Sequence, residues 1–120
     1  MDYVWFPTTD APWQQACYAL SPDGFSFSAK VDLRLFPADG RYYFSLADAV
    51  SGRLYVPWIP LVASWGPSLN DLLQPFRYLN QGRGIGSLFC VHAVDHPRTP
   101  DPAEGTLSDF RLIYGDVFYP

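Results

Sequence analysis

The sequence contains very little lysine or glutamate and no long apolar run. Lys30 is its one lysine and Glu104 its one glutamate, so arginine and aspartate carry nearly all of the charge, which sums to −4. Nucleic-acid binding needs a basic footprint, so this acidic balance argues against that class of function. A membrane-spanning helix needs about 18 consecutive apolar residues, and because no such window exists, no membrane span is expected.

Cysteine is scarce as well. Cys17 and Cys90 are the only two, and each lies in an apolar, strand-like segment. The first residues lack the basic region and the apolar core of a secretory signal, so maturation in the cytoplasm of the producing cell is expected. The count permits a disulfide, but in a cytoplasmic chain two buried free thiols that pack as small hydrophobes are favoured.

Aromatic residues, proline and glycine are abundant by contrast. Aromatic side chains make up 18% of the 120 residues, which also include 12 prolines and 9 glycines. This composition predicts many short segments joined by tight turns within one domain. We expect a β core over residues 14–114, an aromatic N-terminal arm over residues 1–13 and a C-terminal tail over residues 115–120.

The clearest periodicity covers residues 25–35. Apolar residues alternate strictly with polar ones there, at Phe25, Phe27, Ala29, Val31, Leu33 and Leu35. This period of two predicts a long half-buried strand. Asp39-Gly40 then closes a hairpin with residues 41–47 as the return strand. The side chains that this return strand turns inward are predicted to be Tyr42, Phe44 and Leu46.

Weaker patterns complete the fold prediction. Residues 14–20 indicate a first strand. A third meander strand begins at Arg53 and meets Pro57 and Pro60, which predicts an edge, a bulge or a crossing between sheets there. Later strands are expected at residues 88–94 and 108–114. The chain is therefore predicted to be all-β: a small β-barrel or β-sandwich of about six to eight mostly antiparallel strands, with one short helical turn near residues 68–74.

The glycine-rich and acidic segments do not have the pattern of a catalytic or cofactor site. Gly82, Gly84 and Gly86 precede a strand, whereas a phosphate-binding loop opens a helix. Cys90 and His92 would stand about 7 Å apart along one strand, too far for a thiolate–imidazole pair. The acidic residues and His96 between residues 95 and 104 match neither a zinc nor an EF-hand spacing. No catalysis, metal or cofactor is expected.

Two readings of the aromatic residues remain open. A small carbohydrate- or ligand-binding module would use Trp58, Trp65 and Tyr78 as stacking surfaces. A protein interface would use aromatic and arginine side chains, the residue types of binding hot spots. The N-terminal arm likewise either wraps over its own domain or anchors on a neighbouring subunit. We favour a protein interface, with these candidate partner-binding residues: Trp5, Phe6, Phe76, Arg77, Tyr78, Arg83, Phe118 and Tyr119.

The order and spacing of several segments resemble a known family. After the alternating strand and the Asp-Gly hairpin, the matching segments end in an acidic, proline-rich loop and a last strand. They are residues 58–62 (WIPLV), 70–78 (NDLLQPFRY), 84–89 (GIGSLF) and 112–114 (LIY). Together they resemble the small baseplate plug proteins of contractile-tailed phages, of the cyanophage type, over residues 14–114.

The resemblance implies a structural protein of the virion. Such a plug is an all-β building block at the central axis of the tail baseplate, and it contacts the hub, the tail tube and neighbouring plug subunits in a ring-like homo-oligomer. The family brings no catalytic residues. Neither nucleic acid nor membrane is implied as a partner.

Overall fold

The computed structural model describes residues 3–6, 8–22, 26–64 and 69–115. Within these residues, seven antiparallel strands form two sheets that share one core, as predicted for an all-β domain. The strands are β1 (Tyr3–Phe6), β2 (Trp13–Leu20), β3 (Phe27–Phe36), β4 (Arg41–Asp48), β5 (Leu54–Pro60), β6 (Ser87–His92) and β7 (Phe110–Gly115). One sheet has the order β1–β7–β6 and the other the order β2–β3–β4–β5.

The four-stranded sheet follows the sequence pattern closely. Strands β3 and β4 pair from Ala29–Asp48 to Phe36–Arg41, and their alternate side chains are buried against the other sheet, as predicted. The buried side chains of this face are Ala29, Val31, Leu33, Tyr42, Phe44 and Leu46. Asp32 is an exception on the opposite face, because its carboxylate is covered by the indole of Trp13, whose Nε1 donates to it over 2.7 Å.

The N-terminal segment corrects one prediction. An irregular arm was expected over residues 1–13, but Tyr3–Phe6 forms strand β1 and pairs with β7 from Tyr3–Gly115 to Phe6–Leu112. The residues that follow are also fixed to the domain: Thr8 Oγ1 donates to the carbonyl of Phe110, and the Asp10 carboxylate accepts from Ser108. The described part of this segment therefore packs on its own domain.

The free edges of the sheets differ in how they are protected. Strand β5 contains Pro57 and Pro60, lies at the edge of its sheet and pairs irregularly with β4. Of the three predicted alternatives, the edge and the bulge are therefore observed. The outer edge of β6 is covered by residues 63–64 and 69–72, since Ala63 bridges to Cys90 and the amide of Leu72 donates to the carbonyl of Leu88. Strand β1 is short, with four residues. Strand β2 has eight residues and, among the described strands, pairs with β3 alone.

The proline-rich loop after β6 is held by polar contacts. Arg98 donates from Nε and Nη2 to the two carboxylate oxygens of Asp109, at 2.9 and 3.2 Å. This charge-assisted hydrogen bonding from the Arg98 side chain holds the pKa of Asp109 below its usual range. Thr106 Oγ1 lies 2.8 Å from Thr99 Oγ1 and accepts from the amide of Ala103, so the loop has a defined conformation.

Two short 3-10 turns are the helical elements of the described residues: Gln74–Phe76 and Leu107–Asp109. The first lies at the end of the 68–74 segment where a helical turn was expected. No helix in the described part of the chain is long and apolar enough to cross a membrane.

Candidate interaction surface

The outer face of the three-stranded sheet carries a row of apolar side chains. Trp5 on β1 stands opposite Ile113 on β7, which in turn stands opposite Phe89 on β6. Because side chains alternate between the faces of a strand, the neighbouring row of Phe6, Leu112 and Cys90 points into the core. One face of this sheet therefore builds the core, and the other presents Trp5, which is 54% exposed.

This outer row forms an apolar groove. Its volume is about 300 Å³, and it is lined by Trp5, Leu69, Phe89, Val91 and Ile113. Leu69 and Trp5 are exposed at its rim, whereas Phe89 is buried at its base. Because this groove is built on paired strands, it is a rigid binding site for an apolar side chain of a partner.

A positive charge lies beside the groove. Arg111 opposes Val91 across β6 and β7 on the same face as Ile113, and its guanidinium stands 5.3 Å from the centre of the Trp5 ring. A cation over an indole face contributes about 0.5–1 kcal/mol at an exposed site and holds the ring in place. Arg111 is itself exposed, so its remaining donors can reach a carboxylate or carbonyl of a partner. Sequence reasoning missed Arg111, although its alternation with Ile113 in the last strand was a usable signal.

A second exposed element follows the first 3-10 turn. Tyr78 is 69% exposed and Arg83 is also exposed, so both side chains are accessible to a partner. Between them, Asn80 and Gln81 adopt left-handed backbone conformations, with φ of 54° and 58°. Non-glycine residues pay about 1–2 kcal/mol each for this conformation, so the tight turn is held against local strain.

The structure corrects the interface list at Phe6. Only 3% of this side chain is exposed, and its ring lies 4.7 Å from the ring of Tyr18, centre to centre, within the core. The pairing of β1 with β7 turns Trp5 outward and Phe6 inward, so Phe6 cannot contact a partner in the folded chain. Phe118 and Tyr119 lie outside the described residues.

The remaining described interface candidates, Phe76 and Arg77, are only partly exposed. Phe76 is half-buried and packs against the core cluster. Arg77 is also half-buried, with Nη2 at 3.9 Å from a carboxylate oxygen of Asp71. Both positions support the loop that presents Tyr78, and neither belongs to the residues that line the apolar groove. Of the predicted residues, Trp5 therefore lines the groove, which we call the Trp5 groove, whereas Tyr78 and Arg83 belong to the Tyr78–Arg83 loop, which shares no residue with it.

Two of the three aromatic residues of the sugar-binding alternative, Trp58 and Tyr78, are described, and they lie on different elements. Trp58 lies on the outer face of the four-stranded sheet, 5.3 Å from the Arg34 guanidinium and 5.6 Å from the ring of Phe36. Tyr78 lies in the loop after the first 3-10 turn, with its ring 6.5 Å from that of Phe76. Trp65 falls outside the described residues.

The two cysteines have opposite environments. Both are free; Cys90 has no exposed surface, as predicted, but Cys17 is exposed, which corrects the expectation of two buried thiols. Cys17 is exposed because it points outward from the edge strand β2. Burial raises the pKa of the Cys90 thiol to about 12, so this thiol stays protonated at neutral pH and is a poor nucleophile.

We expect native protein to react with Ellman's reagent at one thiol per chain. Cys17 should react rapidly, whereas Cys90 should react only after unfolding in guanidinium, when a second equivalent appears. The Cys17→Ser variant is the control and should show no rapid phase. Two rapid equivalents in the native protein would contradict the burial of Cys90, and none in either state would indicate a disulfide.

Two further observations concern metal binding and similarity to known proteins. Among the described residues, no group of three or more histidine, cysteine, aspartate or glutamate side chains could hold a metal ion. Comparisons with protein-family models and with curated proteins gave no match to this chain.

Proposed function

We propose that this protein is a non-enzymatic structural subunit of a phage tail baseplate. In this proposal it occupies the central axis of the baseplate as a plug and contacts the hub, the tail tube and neighbouring plug subunits within the virion. The resemblance of residues 14–114 to baseplate plug proteins suggests the assembly. The exposed Trp5 groove with Arg111 beside it is the observation that supports docking as the molecular activity.

The physical character of the groove suits a permanent contact. An exposed indole beside Leu69, Val91 and Ile113 leaves apolar surface in water, and covering it releases about 25 cal/mol for each Å² buried. The groove stands on three paired strands, so little conformational entropy is lost when a partner binds. Tryptophan and arginine are the residue types that dominate binding energies in protein interfaces.

The chemistry of the partner follows from these groups. An apolar side chain would fill the space between Trp5 and Ile113, and an acidic group or carbonyl would accept from Arg111. The Tyr78–Arg83 loop would supply a second contact, in which a phenol and a guanidinium are presented by a strained turn. The loop and the Trp5 groove share no residue, so the contribution of each to binding can be tested separately.

We expect Trp5→Ala to prevent incorporation of the protein into particles. Truncation of a hot-spot tryptophan costs about 2 kcal/mol or more of binding free energy, which corresponds to a loss of affinity of about thirtyfold. The measurement is a tagged pull-down from cells that produce the particle, with mass spectrometry of the co-purifying hub, tube and plug proteins. The matched control is Val50→Ala, since Val50 is 88% exposed in a turn remote from β1 in the chain.

Thermal unfolding of both variants must accompany the pull-down, so that loss of binding can be separated from loss of folding. Tyr78→Ala tests the second surface in the same way. Co-purification of hub or tube proteins in a fixed ratio, lost in Trp5→Ala and kept in Val50→Ala, supports the proposal. If tail proteins do not co-purify with the wild-type chain, the baseplate role is wrong.

A further inference from the structure

We infer that the free edge of strand β2 pairs with β2 of a second copy of this chain, in an antiparallel sheet that continues across a two-fold axis. This inference concerns self-association through one strand edge and does not depend on the Trp5 groove or on the proposed baseplate role.

The pairing of β2 with β3 determines which of its backbone groups point outward. The amide of Leu35 donates to the carbonyl of Pro12 over 2.7 Å, so Pro12 and Leu35 form a hydrogen-bonded pair of this ladder. Hydrogen-bonded and non-hydrogen-bonded pairs alternate along antiparallel strands. The amides and carbonyls directed away from β3 therefore belong to Trp13, Gln15, Cys17 and Ala19.

Open space lies along this edge. A cleft of about 410 Å³ is lined by four consecutive residues of β2, from Trp13 to Ala16, together with residues of the core such as Phe6 and Val31. Consecutive strand residues point to opposite faces, so a cleft that touches all four runs beside the strand edge itself. Trp13, Gln15, Ala16, Cys17 and Ala19 are all exposed.

Within the part of the chain that the structure describes, strand β2 lacks the devices that protect the other edges. Natural sheets protect free edges with proline, charged side chains, short strands or covering segments. Strand β5 has two prolines, β6 is covered by residues 63–64 and 69–72, and β1 is only four residues long. Strand β2 has eight residues without a proline or a charged side chain. An unprotected edge of this length is a template for another strand.

A second copy is the occupant that matches this edge. The net charge of −4 opposes self-association in general, but β2 has no charged side chain, so no like charges on the two β2 strands meet when they pair. A two-fold axis at Ala16 places Gln15 opposite Cys17 of the second copy and Trp13 opposite its Ala19. In this register, the outward amides and carbonyls of Trp13, Gln15, Cys17 and Ala19 all form hydrogen bonds with the second copy. The large side chain of Trp13 also lies opposite the small side chain of Ala19.

Chemical cross-linking through Cys17 tests this register directly. Diagonal neighbours across paired strands lie about 7–8 Å apart, so the two Cys17 residues would be too distant for an unstrained disulfide but within reach of a short bis-maleimide. Cys90 is fully buried and would not compete for the reagent. We expect rapid cross-linking of the purified wild-type protein to a covalent dimer on a denaturing gel, with none for Cys17→Ser.

The decisive measurement is the mass of the purified chain by sedimentation velocity at about 100 µM, well above a micromolar dissociation constant. The wild type is expected at twice the monomer mass. Cys17→Lys brings two like charges together across the axis, and Ala19→Pro removes an outward amide without removing a β2–β3 hydrogen bond. Each substitution should raise the dissociation constant of the dimer about tenfold or more. At protein concentrations between the dissociation constants of the wild type and the variant, the variant should then have the monomer mass while the wild type remains dimeric.

Two controls distinguish this edge from other surfaces. Leu54→Lys adds the same charge on the same face of the sheet but on the opposite edge strand, and it should leave the dimer intact. Trp5→Ala should also leave it intact. A monomeric wild type, or dissociation by Leu54→Lys with retention in Cys17→Lys, would overturn the inference. If Ala19→Pro fails to fold, Cys17→Lys and the cross-linking still test whether the β2 edge forms the dimer contact.

Discussion

Replacing Gly86 by alanine is expected to reduce the free energy of unfolding by about 4 kcal/mol or more, which is among the largest effects of a single substitution. A Cβ atom at this position would meet the backbone oxygen of Gly115 and would lie 2.6 Å from the hydroxyl and 2.7 Å from Cζ of Tyr114. Tyr114 cannot retreat, because its side chain is buried and its hydroxyl donates to the carbonyl of Ile85 over 2.6 Å. Gly86 also has a φ of 99°, which side chains with a Cβ rarely adopt.

Gly82→Ala is the matched control for this prediction. Gly82 also has a positive φ, of 82°, but nothing lies within 4 Å of a Cβ built there. Its substitution should therefore reduce the free energy of unfolding by about 1 kcal/mol, because alanine adopts a positive φ less readily than glycine. Urea unfolding of the two variants separates the steric contribution from the conformational one. Equal losses of stability would contradict the close packing of Gly86 against Tyr114.

The second large effect is expected at Asp71. Its carboxylate is buried and accepts hydrogen bonds from the amides of Leu73 and Leu88, at 2.9 and 3.0 Å, and from the hydroxyl of Ser87, at 2.9 Å. Asp71→Ala leaves these donors without their acceptor in the interior, and an unsatisfied buried donor costs about 1–3 kcal/mol. We expect a loss of about 3 kcal/mol or more in the free energy of unfolding, measured by urea denaturation.

Asp71→Asn distinguishes the hydrogen bonds from the charge. The amide oxygen of asparagine can still accept from the two backbone amides, and the Ser87 hydroxyl can reverse its role and accept. If hydrogen bonding dominates, asparagine should retain most of the stability that alanine loses. An asparagine variant as unstable as the alanine variant would instead assign the effect to the charge, including its 3.9 Å approach to Arg77.

These two sites show the limits of local sequence patterns. The sequence marks the Gly86 region as a bend, but the need for glycine there arises from Tyr114, which joins it only through the pairing of β6 with β7. Asp71 has the sequence context of a residue at the start of a helical turn. Its actual role, to connect that turn to the beginning of β6, depends on a contact across 17 positions.

The sequence by itself determined the long alternating strand, its hairpin partner and the proline-bearing edge strand. Side-chain alternation and turn residues act between near neighbours, so a local pattern contains the information. The tertiary structure alone decided that Trp5 is outward and Phe6 buried, that Arg111 stands over Trp5, and that Cys17 is exposed on an open edge. Each of these depends on pairing between segments distant in the chain, such as Trp5 with Ile113, because only that pairing fixes which face of a short strand meets the core.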